Sequence, residues 1–278
     1  MRAGLVQLTV SDDPVANLPQ TVALVREAAQ KGGAGFVLTP ECTNALGSDR
    51  AWLASVLHTE EDDPTLAALR AEAAELRIWL LIGSLGLRTG DDDGRFANRS
   101  FLIGPDGTIA ARYDKIHMFD VNVSPTEVYR ESAAYRPGSR AVLAQTPFGA
   151  VGLSVCYDVR FAALYRRLAQ AGADFLTVPA AFNHITGAAH WETLLRARAI
   201  ETGCYVLAPA QTGLHPCSTG PAQRRTHGHS LIIAPWGEVL ADGGTVPGVV
   251  YADLDCAAVA VARARVPALS HDRDFEGP

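Results

Sequence analysis

The sequence predicts an α/β fold, a four-layer α-β-β-α sandwich with internal pseudo-twofold symmetry. Short apolar runs typical of buried strands alternate with helical patterns. The order strand, helix, strand, helix, strand, hairpin also occurs twice, and residues 173–179 repeat the pattern of residues 34–40. Because each half can cover only one face of its sheet with helices, the two halves are expected to stack sheet against sheet. We therefore expect one domain over residues 1–278.

The first half begins with a strand and contains two helices. Its predicted strands are residues 4–10, 36–38 and 79–85, its helices are 18–30 and 64–77, and a hairpin joins 100–104 to 108–112. Gly32 and Gly33 end the first helix, since glycine readily adopts the conformation that follows a helix, and a Pro-Asp-Gly segment supplies the hairpin turn. Residues 113–138 are polar and, at about 25 residues, too long for a simple connection. This length indicates a functional loop.

The second half repeats this order. Its predicted strands are residues 151–156, 173–179 and 205–209, its helices are one that starts near Ala162 and another over 190–201, and a hairpin joins 230–234 to 238–241. Residues 261–278 have little core character. We expect them to form a C-terminal arm that lies over a neighbouring molecule.

The composition argues against several classes of function. With 24 basic and 30 acidic residues and no basic run, the chain is not expected to bind nucleic acid or an anionic membrane. No apolar run approaches the ~20 residues of a membrane span, and the first residues lack a signal-peptide layout. Five widely spaced cysteines without a CxxC pair indicate a cytoplasmic protein with neither disulfides nor zinc. No metal or cofactor is implied, because no ligand cluster has metal spacing.

Three polar residues fall at or just beyond the ends of predicted strands, where open α/β sheets place their sites. They are Glu41, Lys115 and Cys156. At a strand-to-helix turn, unpaired N–H groups and the helix dipole would favour the thiolate of Cys156. Each residue also has an ordinary explanation: Cys156 as a core thiol and Glu41 as a helix cap or surface charge. Lys115 could be an exposed lysine paired with Asp114.

These three residue types together suit one reaction. A partly buried glutamate can take the proton of a thiol, so no histidine is required as the base. Attack of the thiolate on an amide or nitrile carbon builds negative charge, which the Lys115 ammonium and the backbone N–H of Tyr157 would hold.

The segments that carry these residues resemble the three signature motifs of the nitrilase superfamily, the carbon–nitrogen hydrolases. They are Thr-Pro-Glu at 39–41, Tyr-Asp-Lys-Ile-His at 113–117 and Leu-Ser-Val-Cys-Tyr-Asp-Val-Arg-Phe at 153–161. The resemblance covers nearly the whole chain. It implies that Glu41 is the general base, Lys115 the oxyanion partner and Cys156 the nucleophile. It further implies that Glu131 positions Lys115 and the attacking water, although Glu131 could be a surface charge, and that the protein is a homodimer or a higher homo-oligomer.

Within the superfamily, residues 181–187, 194–201 and 210–213 resemble the deaminated-glutathione amidases, with the omega-amidases as the next branch. The resemblance implies an amidase that converts the carboxamide of a small, carboxylate-bearing substrate to acid and ammonia. A deaminated-glutathione-like substrate is expected first and a 2-oxoglutaramate-type substrate second. An N-carbamoyl amino acid hydrolase, a nitrilase or a non-catalytic binding protein stay as alternatives.

By the same resemblance, Phe182 and Thr186 would line the acyl pocket. Arg160 would grip the substrate carboxylate with two parallel hydrogen bonds, or it would pair with a buried acidic side chain for structure alone. Residues 214–225 align with no segment of the family, and we expect them to border the site.

Overall fold

Two six-stranded sheets form the centre of the part of the chain that the computed structural model describes, residues 1–125, 127–221 and 224–277. In chain order the strands are β1 (Arg2–Gln7), β2 (Phe36–Leu38), β3 (Trp79–Arg88), β4 (Phe96–Ile103), β5 (Ile109–Asp114), β6 (Asp120–Ser124), β7 (Glu127–Arg130), β8 (Val142–Thr146), β9 (Gly149–Leu153), β10 (Phe175–Thr177), β11 (Tyr205–Ala208), β12 (Thr212–Leu214), β13 (Arg225–His227), β14 (Leu231–Ile233), β15 (Val239–Asp242) and β16 (Gly248–Asp253). The helices are α1 (Pro14–Arg26), α2 (Arg50–Val56), α3 (Pro64–Leu76), α4 (Ala162–Gln170), α5 (His184–Thr202) and α6 (Ala257–Arg265).

The two sheets have matching topology. The first has the order β16-β1-β2-β3-β4-β5 and the second has the order β15-β14-β11-β10-β9-β8. In the first sheet β1, β2 and β3 run parallel, and in the second β9, β10 and β11 do the same. Antiparallel strands flank both parallel sets. The predicted sandwich with pseudo-twofold symmetry is therefore confirmed.

In the first sheet, alternate side chains of a strand belong to two different apolar clusters, because successive strand residues point to opposite faces. Leu5, Phe36 and Leu38 of the first sheet share one cluster with Leu153 and Phe175 of the second. The intervening residues of the first sheet belong to a second cluster that includes side chains of α1 and α3. The main core thus lies between the sheets, and the helices cover their outer faces.

Several element boundaries differ from the prediction, mainly where capping side chains set them. The last long helix begins at His184 rather than near 190, because the Asn183 side chain accepts hydrogen bonds from the N–H groups of the first turn. The first helix likewise begins at Pro14, with Asp13 as its cap. Strand β16 and helix α2 were not predicted. The segment 113–138, predicted to be a loop, contains the hairpin β6–β7.

The C-terminal segment is partly helical. Helix α6 buries Val259 and Ala262, so the arm expected from about residue 261 begins inside a packed helix. Beyond it, Arg166 of α4 donates a hydrogen bond to the carbonyl of Ala268 at 3.0 Å. None of the helices in the described ranges combines the length and the apolar character needed to cross a membrane.

Candidate active site

Cys156 lies at the first residue of a 3₁₀ turn, residues 156–160, that connects the end of β9 to α4. Strand β9 ends at Leu153, short of the predicted end at Cys156. The backbone φ of Cys156 is +49°, a left-handed conformation that costs a residue with a side chain about 1–3 kcal/mol. Its N–H donates to the carbonyl of Pro179 at 2.9 Å. The fold therefore holds the thiol at this point at the expense of stability.

Glu41 follows β2 and is 3% exposed. Its Oε1 accepts hydrogen bonds from Nζ of Lys115 at 2.8 Å and from Nδ2 of Asn98 at 2.9 Å. Its Oε2 accepts from the N–H of Ala181 at 2.8 Å. Three groups from distant parts of the chain thus hold one carboxylate in place, in the cavity that Cys156 also lines.

Lys115 is 2% exposed and lies between two carboxylates. Besides Glu41, its Nζ donates to both oxygens of Glu131 at 2.9 Å. Glu131 also accepts from the N–H of Phe119 at 2.6 Å, so it is not a free surface charge. The alternative pairing of Lys115 with Asp114 is wrong, because Asp114 forms a bidentate ion pair with Arg99 instead.

The charges of the site determine its resting protonation. Burial alone would raise the pKa of Glu41, but the charge and hydrogen bond of Lys115 lower it below its ordinary value. Burial would lower the pKa of Lys115, but Glu131 and Glu41 together raise it well above its ordinary value. The resting site therefore contains carboxylates and an ammonium group.

The thiol behaves differently from the expectation. Burial, followed by the negative charge of Glu41, raises the pKa of Cys156 well above its ordinary value. The N–H groups of a single helical turn do not outweigh these two effects. The resting group is therefore a neutral thiol next to an ionised carboxylate, an arrangement in which the carboxylate can accept the proton as the sulfur reacts.

Asp158 joins the segment of Lys115 to the turn of Cys156. This carboxylate is fully buried. One oxygen accepts from the hydroxyl of Tyr113 at 2.7 Å and from the N–H of Val155 at 2.8 Å. The other accepts from the N–H of His117 at 3.0 Å and contacts its Nδ1 at 2.7 Å. Residues on both sides of Lys115 are thereby fixed against the turn that carries the thiol.

Replacing Asp158 by asparagine should lower the free energy of unfolding by about 1–3 kcal/mol, since an amide nitrogen would face groups that need an acceptor. Urea denaturation measures the change. The control is Asp253→Asn, because Asp253 is exposed and its contact with Arg2 is long, at 3.8 Å. The control should stay within about 0.5 kcal/mol of the parent protein. Equal stability of both variants would contradict the role assigned to Asp158.

These groups share one cavity of about 310 Å³. Its wall includes Glu41, Lys115, Glu131 and Cys156. Asn98, Phe182 and Arg224 also line the cavity. Within the described ranges no three His, Cys, Asp or Glu side chains form a group that could hold a metal ion.

The remaining predicted residues divide into two groups. Phe182 and Tyr157 line the cavity, whereas Arg160 and Thr186 are not among the described lining residues. The Arg160 guanidinium contacts Nδ1 of His190 at 3.3 Å and lies over the ring of Phe182. No acidic side chain in the described part of the chain forms an ion pair with it. The roles of Arg160, Thr186 and the Tyr157 N–H stay predictions.

Sequence reasoning missed three groups at the cavity: Asn98, the N–H of Ala181 and Arg224. Asn98 donates to Glu41 and, at 3.3 Å, to Oε1 of Glu131, so it joins both carboxylates. The structure buries this amide, and buried polar side chains need partners. The sequence did not single it out, because Arg99 and Ser100 follow it in the same strand. Arg224 lies in the segment 214–225, which was expected to border the site but could not be aligned, so no individual residue in it was identified.

Comparison with known proteins places the chain among hydrolases of carbon–nitrogen bonds. A family model described as "Carbon-nitrogen hydrolase" matches residues 2–264. The chain is 40% identical over 271 residues to "Deaminated glutathione amidase" of Synechocystis sp. (strain PCC 6803 / GT-S), covering 97% of each protein. It is 37% identical over 272 residues to "Omega-amidase NIT2" of Bos taurus, covering 98% of this chain and 95% of the relative.

Solved structures agree with these relatives. The C. elegans NitFhit protein superposes with a TM-score of 0.88 at 35% identity over 98% of this chain, which spans 65% of the length of NitFhit. A mutant of the amidase from Nesterenkonia sp. AN1 superposes with a TM-score of 0.75 at 27% identity, covering 96% of this chain and 98% of that one. That structure shows the result of Michael addition of acrylamide at the active site cysteine.

Proposed function

The chain belongs to the carbon–nitrogen hydrolase family, and from this premise we propose that it is a cysteine-dependent amidase with Cys156 as nucleophile, Glu41 as general base and Lys115 as oxyanion partner. One observation carries the proposal. The Lys115 ammonium lies 2.8 Å from the Glu41 carboxylate, and both residues line a single cavity together with Cys156. The acrylamide adduct at the cysteine of the Nesterenkonia amidase supports the choice of nucleophile.

The first half of the reaction forms a thioester. Glu41 takes the thiol proton while the sulfur of Cys156 attacks the carbonyl carbon, and the carbonyl oxygen becomes an oxyanion. The Lys115 ammonium and the backbone N–H of Tyr157 stabilise that charge. When the carbon–nitrogen bond breaks, the protonated Glu41 returns its proton to the departing nitrogen. Lys115 keeps its own proton throughout, because Glu131 and Glu41 raise its pKa.

The second half hydrolyses the thioester. Glu41 takes a proton from a water molecule as the water oxygen attacks the thioester carbon. The carbon–sulfur bond then breaks, the acid leaves, and the proton on Glu41 returns to the sulfur. Glu131 and Asn98 position the lysine and the base during both halves through the hydrogen bonds described above. Amide and water are consumed, and acid and amine or ammonia are released.

The substrate we propose is a small amide that bears a carboxylate, with a deaminated-glutathione-like compound first and a 2-oxoglutaramate-type compound second. The 37–40% identity to relatives named for these two activities supports this order. The leaving group differs between the two. Ammonia leaves a primary carboxamide such as 2-oxoglutaramate, whereas hydrolysis of deaminated glutathione at its ketoglutaryl amide releases cysteinylglycine, so the expectation of ammonia needs correction for that substrate.

The test is a comparison of kcat/KM across four compounds: deaminated glutathione, 2-oxoglutaramate, an N-carbamoyl amino acid and an aliphatic nitrile. Cysteinylglycine is measured for the first compound and ammonia for the others. We expect the two carboxylate-bearing amides to exceed the other compounds by at least about 100-fold, a difference of about 2.7 kcal/mol in transition-state binding. A preference for the carbamoyl compound or the nitrile would replace the proposed amidase with that activity. No turnover of any compound would favour a binding protein.

We further propose that residues 1–278 act as one domain and that the enzyme works in the cytoplasm as a homodimer, with residues from about 261 onward reaching the partner. The family resemblance supports the dimer. Five free cysteines support a reducing compartment.

A further inference from the structure

Arg224 is held at the cavity wall by an anchored loop. It directly precedes β13, which pairs antiparallel with β12, and its carbonyl accepts a hydrogen bond from the N–H of His215 at 2.9 Å. The buried His215 ring contacts the carbonyl of Val10 and Oγ1 of Thr226, both at 2.7 Å. Its burial lowers the pKa of His215 to about 4, so the ring stays neutral and both contacts persist at physiological pH.

The anchoring extends to the start of the same loop. Ser218 donates through its N–H and its hydroxyl to the buried carboxylate of Asp12, with the hydroxyl at 2.6 Å from Oδ1. The described residues 214–221, which the sequence left unexplained, are thus hydrogen-bonded at two places to the residues that follow β1. Arg224 is the charged side chain that follows them at the cavity.

The Arg224 guanidinium has hydrogen-bonding capacity to spare. Its Nη2 donates to the carbonyl of Ala181 at 3.0 Å, and its Cζ lies 4.7 Å from the ring centre of Tyr129. Its Nε is buried and has no acceptor. Across the described residues no carboxylate forms an ion pair with it. A guanidinium carries five N–H donors. Because Nε is buried, the donors of Arg224 that remain for a ligand are those of the two Nη atoms.

The other cations of the cavity are already engaged. Lys115 is bonded to Glu41 and Glu131. Arg130 also lines the cavity, but its guanidinium donates to the carbonyl of Val121, to its neighbour's carbonyl and to the side chain of Asn122. Arg130 is exposed and makes three hydrogen bonds, whereas Arg224 is partly buried and makes one. Among the described lining cations, Arg224 therefore has the most donors left for an anionic partner.

Resting on the proposed amidase function, we propose that Arg224 binds the carboxylate of the substrate and thereby selects amides that carry one. The reacting end of the cavity holds two carboxylates, Glu41 and Glu131, against one ammonium, so a substrate carboxylate is repelled there. At Arg224 the same group gains a charge-assisted pair of hydrogen bonds.

One residue links this anion site to the base. The N–H of Ala181 donates to Oε2 of Glu41, and the carbonyl of Ala181 accepts from Nη2 of Arg224. The positions of Arg224 and of the base are therefore fixed through the same residue, and both line the cavity that contains Cys156. The substrate is oriented with its carboxylate at Arg224 and its amide at Cys156.

The test compares 4-carbamoylbutanoate with pentanamide, in which a methyl group replaces the carboxylate. In Arg224→Gln we expect kcat/KM for 4-carbamoylbutanoate to fall about 100-fold, mainly through KM, as when one charge-assisted contact is lost. The kcat/KM for pentanamide should change less than about 3-fold. In Arg224→Lys the kcat/KM for 4-carbamoylbutanoate should be intermediate, since a lysine keeps the charge but lacks the paired N–H donors of a guanidinium. Arg225→Gln is the matched control, because Arg225 is the next residue, is exposed and carries the same charge. It should change neither value.

Two results would overturn the proposal. Equal losses on both amides in Arg224→Gln would mean that Arg224 only supports Tyr129 and Ala181. Loss of the carboxylate preference in Arg160→Gln but not in Arg224→Gln would assign the anion site to Arg160.

A binding measurement separates this proposal from the proposed reaction. In the Cys156→Ala background, calorimetric titration with 4-carbamoylbutanoate should show binding that Arg224→Gln weakens by at least about 10-fold. If the parent enzyme hydrolyses neither amide yet this loss of binding occurs, the proposed reaction fails and the Arg224 site stands. If binding is unchanged by Arg224→Gln, the Arg224 site fails whatever the catalytic result.

Discussion

Replacing Cys156 by alanine should lower kcat/KM by at least about 1000-fold, because the covalent nucleophile is lost. The side chain is small and buried, and alanine meets the same backbone strain at a φ of +49° as cysteine does. We therefore expect the fold to persist. Steady-state kinetics with 2-oxoglutaramate or deaminated glutathione, whichever the parent enzyme prefers, measures the loss, and circular dichroism checks the fold.

The matched control for the thiol is Cys204→Ala. Cys204 is also a buried free cysteine, but it lies in the core, where its sulfur contacts the carbonyl of Ala173 at 3.1 Å. Its replacement should leave kcat/KM within about 3-fold of the parent value. Near-normal turnover by Cys156→Ala would end the thioester mechanism.

Replacing Glu41 by glutamine should lower kcat/KM by at least about 100-fold, the usual contribution of a positioned general base. The amide has nearly the same shape and keeps an oxygen that can accept from Lys115. It cannot take the proton of Cys156, whose pKa is well above its ordinary value, so the sulfur would rarely become a nucleophile. The measurement is steady-state turnover together with single-turnover formation of the thioester, which should slow in parallel.

Glu60→Gln is the control for the loss of a carboxylate. Glu60 bonds Arg99 at 2.7 Å and Arg112 at 2.6 Å outside the cavity, so its replacement should change kcat/KM by less than about 3-fold. Fast thioester formation in Glu41→Gln would require another base for the thiol. Glu131 would then be the first candidate, because it is the second carboxylate on Lys115.

The prediction of the fold succeeded where the signal is local. The repeated order of apolar runs and the turn residues predicted two matching halves, and the observed sheet orders agree. Helix ends were less accurate, because Asn183 and Asp13 set them through caps that apolar periodicity does not reveal. Strand β16 was missed because it joins the sheet edge beside β1 only through long-range pairing.

The active site likewise combines residues that local motifs identified with properties that long-range contacts set. Short motifs at strand ends identified Glu41, Lys115 and Cys156, and the structure brings these three together. The preference of Cys156 for the thiolate was misjudged, because the charge of Glu41 acts on the thiol from a part of the chain more than a hundred residues away.

The sequence by itself therefore determined the family, the layered architecture and the candidate catalytic thiol, amine and carboxylate. Each of these can be identified from a short motif or from a repeating pattern of apolar residues. Tertiary structure alone decided that Asn98 joins both carboxylates and that Arg224, rather than Arg160, lines the cavity. The reason is physical. Hydrogen-bond partners, burial and the field of neighbouring charges are set by side chains that meet only when the chain has folded, such as Glu41 and Ala181, 140 residues apart.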